Sequence, residues 1–277
     1  MPELPEVEVT RRGLLPHLPQ KTVTGIRWSG KRLRNPMPRA LLRDEIRGQT
    51  ILTVDRRAKY LLIRMESGAV LVIHLGMTGR LGIFPGQASV ARHDHLRLLL
   101  DDGMELRFND SRRFGSVAVW PAVRAETMEQ EFDARLGMEP LGDQFTGEHL
   151  HALAAGRRMP VKTFLMDSRY IVGIGNIYAN EILFAAGVSP WTAVGTLDFA
   201  QWQTIAHHGR EILLRAIEAG GSTIADFVGS SGQPGYFQLQ LAVYGRKGKC
   251  CPRCQSEIKK EVLAGRATFF CPACQQG

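Results

Sequence analysis

Four cysteines near the end of the chain constrain it more than any other feature: Cys251-x2-Cys254, then sixteen residues, then Cys271-x2-Cys274. Two intervening residues are the reach of one tight turn, so each pair offers two thiolates to the same point. Two such knuckles from neighbouring hairpin arms close a tetrahedron around one structural zinc ion. Disulfides are the competing reading, disfavoured because nothing marks the chain for an oxidising compartment. Cys250 is read as a non-ligand, although it could in principle replace Cys251. Between the knuckles, residues 257–263 and 267–270 read as paired strands joined at Ala264-Gly265-Arg266, with Arg266 at the tip. Metal makes so small a hairpin rigid enough to aim that side chain.

The charge at this end points to a partner. From residue 235 to 277 there are seven Lys or Arg against two acids, a net of +5 out of +8 for the whole chain, whose pI is about 9.5. A polyanion such as nucleic acid suits that balance, and a merely solvated basic tail is the alternative. At 277 residues the chain can bury two cores. No charged leader with an apolar core and no run of about 18 apolar residues occurs, so membrane-spanning and secreted classes are disfavoured and a cytoplasmic protein is expected. No signal points to an oligomer, and a monomer is expected.

Short apolar runs recur at 23–28, 51–54, 60–65, 70–75, 96–100, 105–108 and 116–120, with Glu66-Ser67-Gly68 and Asp101-Asp102-Gly103 as turns. That spacing predicts an antiparallel sandwich or barrel behind an opening helix at about 6–14. An acidic stretch around 126–143 marks a boundary, and helices are predicted at 147–155, 160–168, 177–186 and 199–219. The fold class is therefore α+β, with domains expected at 1–130, 131–228 and 229–277.

The opening residues carry the most specific chemistry. Removal of Met1 ahead of a small residue exposes the secondary amine of Pro2, and an α-amino group titrates near about 8, so part of it is a free nucleophile at neutral pH. Glu3 and Glu6 flank it as proton donor and acceptor. The plainer reading makes Pro5 a first-turn proline, with Glu6 and Glu8 on the favourable end of the helix dipole. Lys59 ahead of an apolar strand is either a solvated charge or a catalytic ammonium. His74-Leu75-Gly76-Met77-Thr78-Gly79 ends a strand between glycines and can present Met77 at an exposed tip. His93 and His95 stand at another strand end. In Asn109-Asp110-Ser111-Arg112-Arg113-Phe114-Gly115, guanidiniums beside an aromatic suit a hairpin that contacts bases and phosphates while Phe114 enters the stack.

Gly173-Ile174-Gly175-Asn176 lacks the third glycine of a dinucleotide fingerprint and follows a helix, which excludes that reading. It fits a turn whose amides, with the Asn176 side chain, hold a phosphate at the start of the next helix, and Lys162 can neutralise the same phosphate. Residues 229–235, rich in Gly and Ser, are a linker or a loop that folds over an extruded base.

Pro-Glu-Leu-Pro-Glu at 2–6, Lys59, His-Leu-Gly-Met at 74–77, Arg-Arg-Phe-Gly at 112–115, Gly-x-Gly-Asn-Ile-Tyr at 173–178 and the ribbon ending Arg-Ala-Thr-Phe-Phe-Cys together resemble bacterial formamidopyrimidine-DNA glycosylases from end to end. The resemblance implies a β-sandwich, a helix-two-turn-helix domain and a zinc finger, with double-stranded DNA bound between the halves and oxidised purines as the lesions. It implies Pro2 as the Schiff-base nucleophile at C1′ and Glu3 as the acid that assists sugar-ring opening. Lys59 and Arg266 then match the proton donors of β- and δ-elimination. Met77, Arg112 and Phe114 fill the vacated stack, with Arg112 reading the opposite cytosine. His93, Arg112 and Arg157 fall on DNA-contact positions, Asn176 on a phosphate contact; Arg157 stands where the family sometimes has lysine. Related endonucleases acting on oxidised pyrimidines share Pro2, Glu3 and the ribbon, but the Arg112-Arg113-Phe114 cluster and the 229–235 loop favour the purine enzymes. A non-catalytic DNA-binding protein leaves Pro2 and Glu3 unexplained.

Overall fold

A computed structural model describes residues 2–221 and 241–276. Residues 229–235 lie outside the described residues. The chain divides into two compact units, one of Met1–Ala134 with the described residues from Ile217 to Gly221, the other of Arg135–Ala216 with the described residues after 240.

The first unit opens with the Leu4–Leu14 helix, capped by Glu3. Val7 and Leu14 enter the core of an antiparallel sandwich. Eight strands form it: β1 (Val23–Trp28), β2 (Ile51–Arg57), β3 (Tyr60–Met65), β4 (Val70–His74), β5 (Arg80–Pro85), β6 (Asp94–Leu100), β7 (Met104–Asn109) and β8 (Ser116–Trp120). They assemble as two four-stranded sheets ordered β1-β6-β7-β5 and β2-β3-β4-β8. In the second sheet alternation sorts the residues: Leu61, Ile63, Leu71 and Ile73 face the sandwich core, while Leu62, Val70 and Val72 face the other way.

That second face is covered too. The acidic stretch read as a boundary contains a helix, Ala125–Asp133, whose Met128 and Phe132 pack with Trp120 and Leu62. Its acids are tethers: Glu129 meets Arg64 at 2.6 Å and Asp133 meets Arg57 at 2.9 Å. Covering on both faces is why β4 reads as a continuous apolar run. Strand β5 has no counterpart among the predicted strands, since Gly82 weakens its pattern and Pro85 ends it. It pairs with β7 alone, at a sheet edge, where proline is tolerated.

The second unit packs helices Gly147–Ala154, Val161–Met166, Asn176–Ala186 and Phe199–Gly221, the last as far as Ala216, with Trp202, Phe164, Tyr178 and Ile182 fully buried among them. Thr146 caps the first by accepting from the His149 amide at 3.2 Å. A second small core joins Phe184 of the Asn176–Ala186 helix to Val243, Ile258 and Phe269. There β9 (Lys259–Leu263) and β10 (Arg266–Phe270) form the C-terminal hairpin. The turn is Ala264-Gly265, with φ of 47° and 73°. Arg266 is thus the first residue of β10, opposite Leu263, rather than the tip itself. No helix among the described residues is long and apolar enough to cross a membrane.

Candidate active site and DNA interface

Pro2 stands just ahead of the first helix, and Glu3, 1 % exposed, is its N-cap. The Glu6 carboxylate accepts from the Glu3 amide at 2.7 Å in a capping box, so the plainer reading holds for Pro5 and Glu6 in the first turn, while Glu8 falls beyond it. Capping fixes the Glu3 side chain at the residue next to Pro2. Further along, Glu8 accepts from Arg11 at 2.8 Å, Arg12 at 3.0 Å and Arg56 at 3.2 Å. Burial pushes the Glu8 carboxyl up, but the Arg11 and Arg12 hydrogen bonds and the Arg56 charge more than offset it, leaving it below the usual range.

Arg56 also donates to Ala58 O at 3.0 Å. One guanidinium therefore links the helix that Glu3 caps to the two-residue turn that carries Lys59. Ala58 supplies that turn's left-handed backbone, φ 55°, in a position glycine usually takes. Lys59 lies close enough to His74 to act on its titration. Burial first, then the charges of Arg34 and Lys59, pull His74 down to about 4 from 6.5. Its Nδ1 accepts from the Gly76 amide at 3.0 Å, as a neutral ring requires. Because the folded ring refuses a proton that the unfolded chain accepts, His74 favours folding fully above pH 6.5, and this is lost between 6.5 and about 4. Each tenfold difference in proton affinity between the two states is worth about 1.4 kcal/mol, so the loss approaches about 3 kcal/mol. Thermal melts across that window should show the fall, and His74→Asn, which keeps an acceptor but cannot titrate, should flatten it.

Gly76, φ 67°, abuts the neighbouring loop so closely that a Cβ would collide with the backbone of Phe114 and Gly115. Two loops distant in sequence thus touch main chain to main chain. On one, Met77 is 38 % exposed; on the other, Phe114 is 45 % exposed, with the Arg112 guanidinium 4.8 Å above its ring. Large apolar groups left in solvent beside a cation are what a stack-filling wedge needs. His93 is half-buried, and its carbonyl accepts from the Asp110 amide at 3.0 Å.

In the second unit Gly173 takes φ 83° and Gly175 caps the Asn176–Ala186 helix, as the phosphate-turn reading expects. The Asn176 amide, however, donates to Ala267 O at 3.0 Å, while its Oδ1 is buried with no partner among the described residues. Lys162 departs further from expectation. Only 1 % exposed, its ammonium donates to Ala267 O at 2.9 Å and to Thr268 Oγ1 at 2.8 Å. Its charge acts on the hairpin backbone beside exposed Arg266, so a direct hold on phosphate gives way to support of that residue's strand. Asn180, fully buried, completes the support by accepting from the Phe269 amide at 2.8 Å. Arg157 is exposed and lies 5.0 Å over the Tyr170 ring.

The sulfurs of Cys251, Cys254, Cys271 and Cys274 all lie within 4.8 Å of one another, with Cys251–Cys274 at 3.8 Å and Cys254–Cys271 at 3.4 Å. Zn–S bonds of about 2.3 Å give a tetrahedron with edges of about 3.8 Å, so the four fit one structural zinc ion. Cys250 stands outside the set. Arg253 fastens the first knuckle by donating to Phe184 O at 3.1 Å and Ala185 O at 2.9 Å. Gln275 fastens the second, bonding the Cys271 amide at 2.9 Å and Val188 O at 3.0 Å.

Sequence reasoning left Asp110, Arg56 and Asn180 without roles. Only Asp110 gave a local signal: an Asp two residues before a loop amide forms an Asx turn, here Asp110 Oδ1 to Arg112 N at 3.3 Å.

Family models match the chain in three blocks: the formamidopyrimidine-DNA glycosylase N-terminal domain at 1–117, its H2TH domain at 136–228 and a zinc finger found in FPG and IleRS at 248–277. Formamidopyrimidine-DNA glycosylases of Alkalilimnicola ehrlichii and Xanthomonas euvesicatoria pv. vesicatoria are 50 % and 47 % identical to it, each over the full length of both chains. Among solved structures, Lactococcus lactis Fpg in complex with DNA containing an oxidised pyrimidine superposes with a TM-score of 0.87 at 30 % identity, covering 100 % of both chains. The same protein with N7-benzyl-Fapy-dG DNA gives 0.86 at 31 % identity and the same coverage. Fold, zinc hairpin and full-length relatives define a DNA glycosylase of base-excision repair. Its sandwich, helical and zinc modules follow the family's order without omission. The chain belongs to the formamidopyrimidine-DNA glycosylase family.

Proposed function

We propose that the protein excises oxidised purines, chiefly 8-oxoguanine and formamidopyrimidines, from double-stranded DNA and then cleaves the strand by β- and δ-elimination. An intrahelical base cannot reach a terminal amine, so the nucleotide is flipped and its place filled. The observation that carries the purine reading is the wedge: exposed Met77 and Phe114 on touching loops, with Arg112 stacked on Phe114 and able to read the opposite cytosine. The Pro2 nitrogen attacks C1′, the base leaves, and Glu3 assists opening of the sugar ring. The resulting iminium acidifies the C2′ proton, whose loss expels the 3′ phosphate; a second elimination expels the 5′ phosphate. Lys59 serves the first elimination and Arg266 the second.

In this reading 1–130 is the catalytic domain, 131–228 grips DNA and 229–277 carries the base-covering loop and zinc finger. His93, Arg157 and the Gly173-Gly175-Asn176 turn contact the backbone, Lys162 steadies the Arg266 strand, and the protein acts as a monomer. Competition between 8-oxoguanine and thymine glycol duplexes tests the lesion class, and a clear preference for thymine glycol would overturn it. Arg266→Ala, an exposed change that spares the fold, should leave base removal intact. It should stall cleavage at the β-elimination product, with δ-product formation down on the order of 10²-fold on a sequencing gel.

A further inference from the structure

We propose that Asp110 is a positioning residue: one buried carboxylate that couples the Met77 loop to the Arg112–Phe114 loop, so that the three side chains enter the base stack as a unit. The proposal rests on the wedge assignment above. Asp110 is 0 % exposed and directly follows β7. Its main chain is fixed at both ends. The amide donates to His93 O at 3.0 Å, and the carbonyl accepts from His95 Nε2 at 2.9 Å, a ring whose Nδ1 is held by Ser29 Oγ at 2.8 Å.

With the backbone anchored, the carboxylate faces both loops. Oδ1 accepts from the Thr78 hydroxyl at 2.6 Å and the Arg112 amide at 3.3 Å, and Oδ2 accepts from the Gly115 amide at 2.8 Å. Thr78 closes the triangle, its Oγ1 accepting from the Arg112 amide at 3.1 Å. Met77 is thus bonded in place by the residue after it, and Arg112 and Phe114 by the amides that bracket them.

Among the described residues every donor to this carboxylate is a neutral N–H or O–H. A buried carboxylate without a cation is costly to keep, and closing a turn needs only one acceptor. What requires Asp here is the number of donors on two separate loops, because Asn offers a single acceptor oxygen and would point its amide at another donor. Arg113, with φ 58°, sits between the anchored amides of Arg112 and Gly115. A left-handed non-glycine residue persists where its surroundings over-determine it, and these bonds do so here.

Asp110→Asn and the isosteric Thr78→Val test the coupling in the full-length zinc-loaded protein. Excision from an 8-oxoguanine:cytosine duplex should fall about tenfold to hundredfold for Asp110→Asn, and less for Thr78→Val, which keeps two of the three carboxylate bonds. Cleavage of a single-stranded oligonucleotide with a preformed abasic site has no stack to fill, so it should stay within about twofold of the unaltered protein. A 2-aminopurine beside the lesion should report slower unstacking in both variants. Equal loss on both substrates, or full duplex activity in both variants, overturns the proposal, and melting curves show whether Asp110→Asn has simply unfolded. The thymine glycol duplex is run alongside. If the unaltered protein acts on it and not on 8-oxoguanine, the lesion reading falls, while the same split between duplex and single strand upholds the role of Asp110.

Discussion

Blocking the amine of Pro2 with a non-removable Gly-Ser extension should abolish borohydride trapping on an 8-oxoguanine:cytosine duplex. Strand cleavage should fall on the order of 10⁴-fold, because the nitrogen becomes a tertiary amide with no lone pair to attack C1′. Affinity for a duplex carrying an uncleavable abasic analogue should be kept, since phosphate contacts supply most of it. Glu3→Gln separates proton transfer from the nucleophile. Its amide oxygen can still cap the helix, so the melting temperature should hold, while turnover falls about 10²- to 10⁴-fold for loss of a positioned acid. The cross-linked peptide of the unaltered protein should contain Pro2. A cross-link that survives the extension and maps to Lys59 would place the nucleophile at the β2–β3 turn and overturn the assignment.

What the sequence disclosed and what it hid divide along a physical line. The two Cys-x2-Cys knuckles, the helix start at Glu3 and the left-handed turn at Gly173 each depend on spacing within a few residues, so they are written locally. Strands β3, β4 and β8 were legible because their apolar runs are long for the turns that bound them. The Ala125–Asp133 helix was not, since its acids resemble a linker until Arg57 and Arg64 are known to face them. Lys162 and Asn176 both bond Ala267 O, 105 and 91 residues away, and Thr78 bonds Asp110 across 32. Contacts at such separations leave no periodic trace. A lysine beside a phosphate and one that steadies a hairpin look alike in sequence; burial distinguishes them.

Removing zinc should cost this protein its strand cleavage while sparing the sandwich. The small core around the hairpin holds six buried side chains, and two of them, Cys251 and Cys271, are metal ligands. Four remaining apolar residues cannot hold a hairpin in water, whereas structural zinc contributes about 10–16 kcal/mol of apparent binding energy in small fingers. Two of the attachments depend on the metal as well, because Arg253 and Gln275 reach the Asn176–Ala186 helix and Val188 from the two knuckles themselves, leaving the bonds of Lys162, Asn176 and Asn180 to β10. Cys271→Ser, or exhaustive chelation, should therefore release one zinc per chain and free the strand that presents Arg266. Trp191 reports this directly: its ring lies 4.7 Å from Phe270 of β10, so its emission should change as the hairpin melts. Circular dichroism of the β-sandwich should persist, and DNA affinity should fall together with the metal. If zinc leaves and affinity does not change, the hairpin is no part of the DNA-binding surface, and Arg266 must be replaced as the donor of δ-elimination.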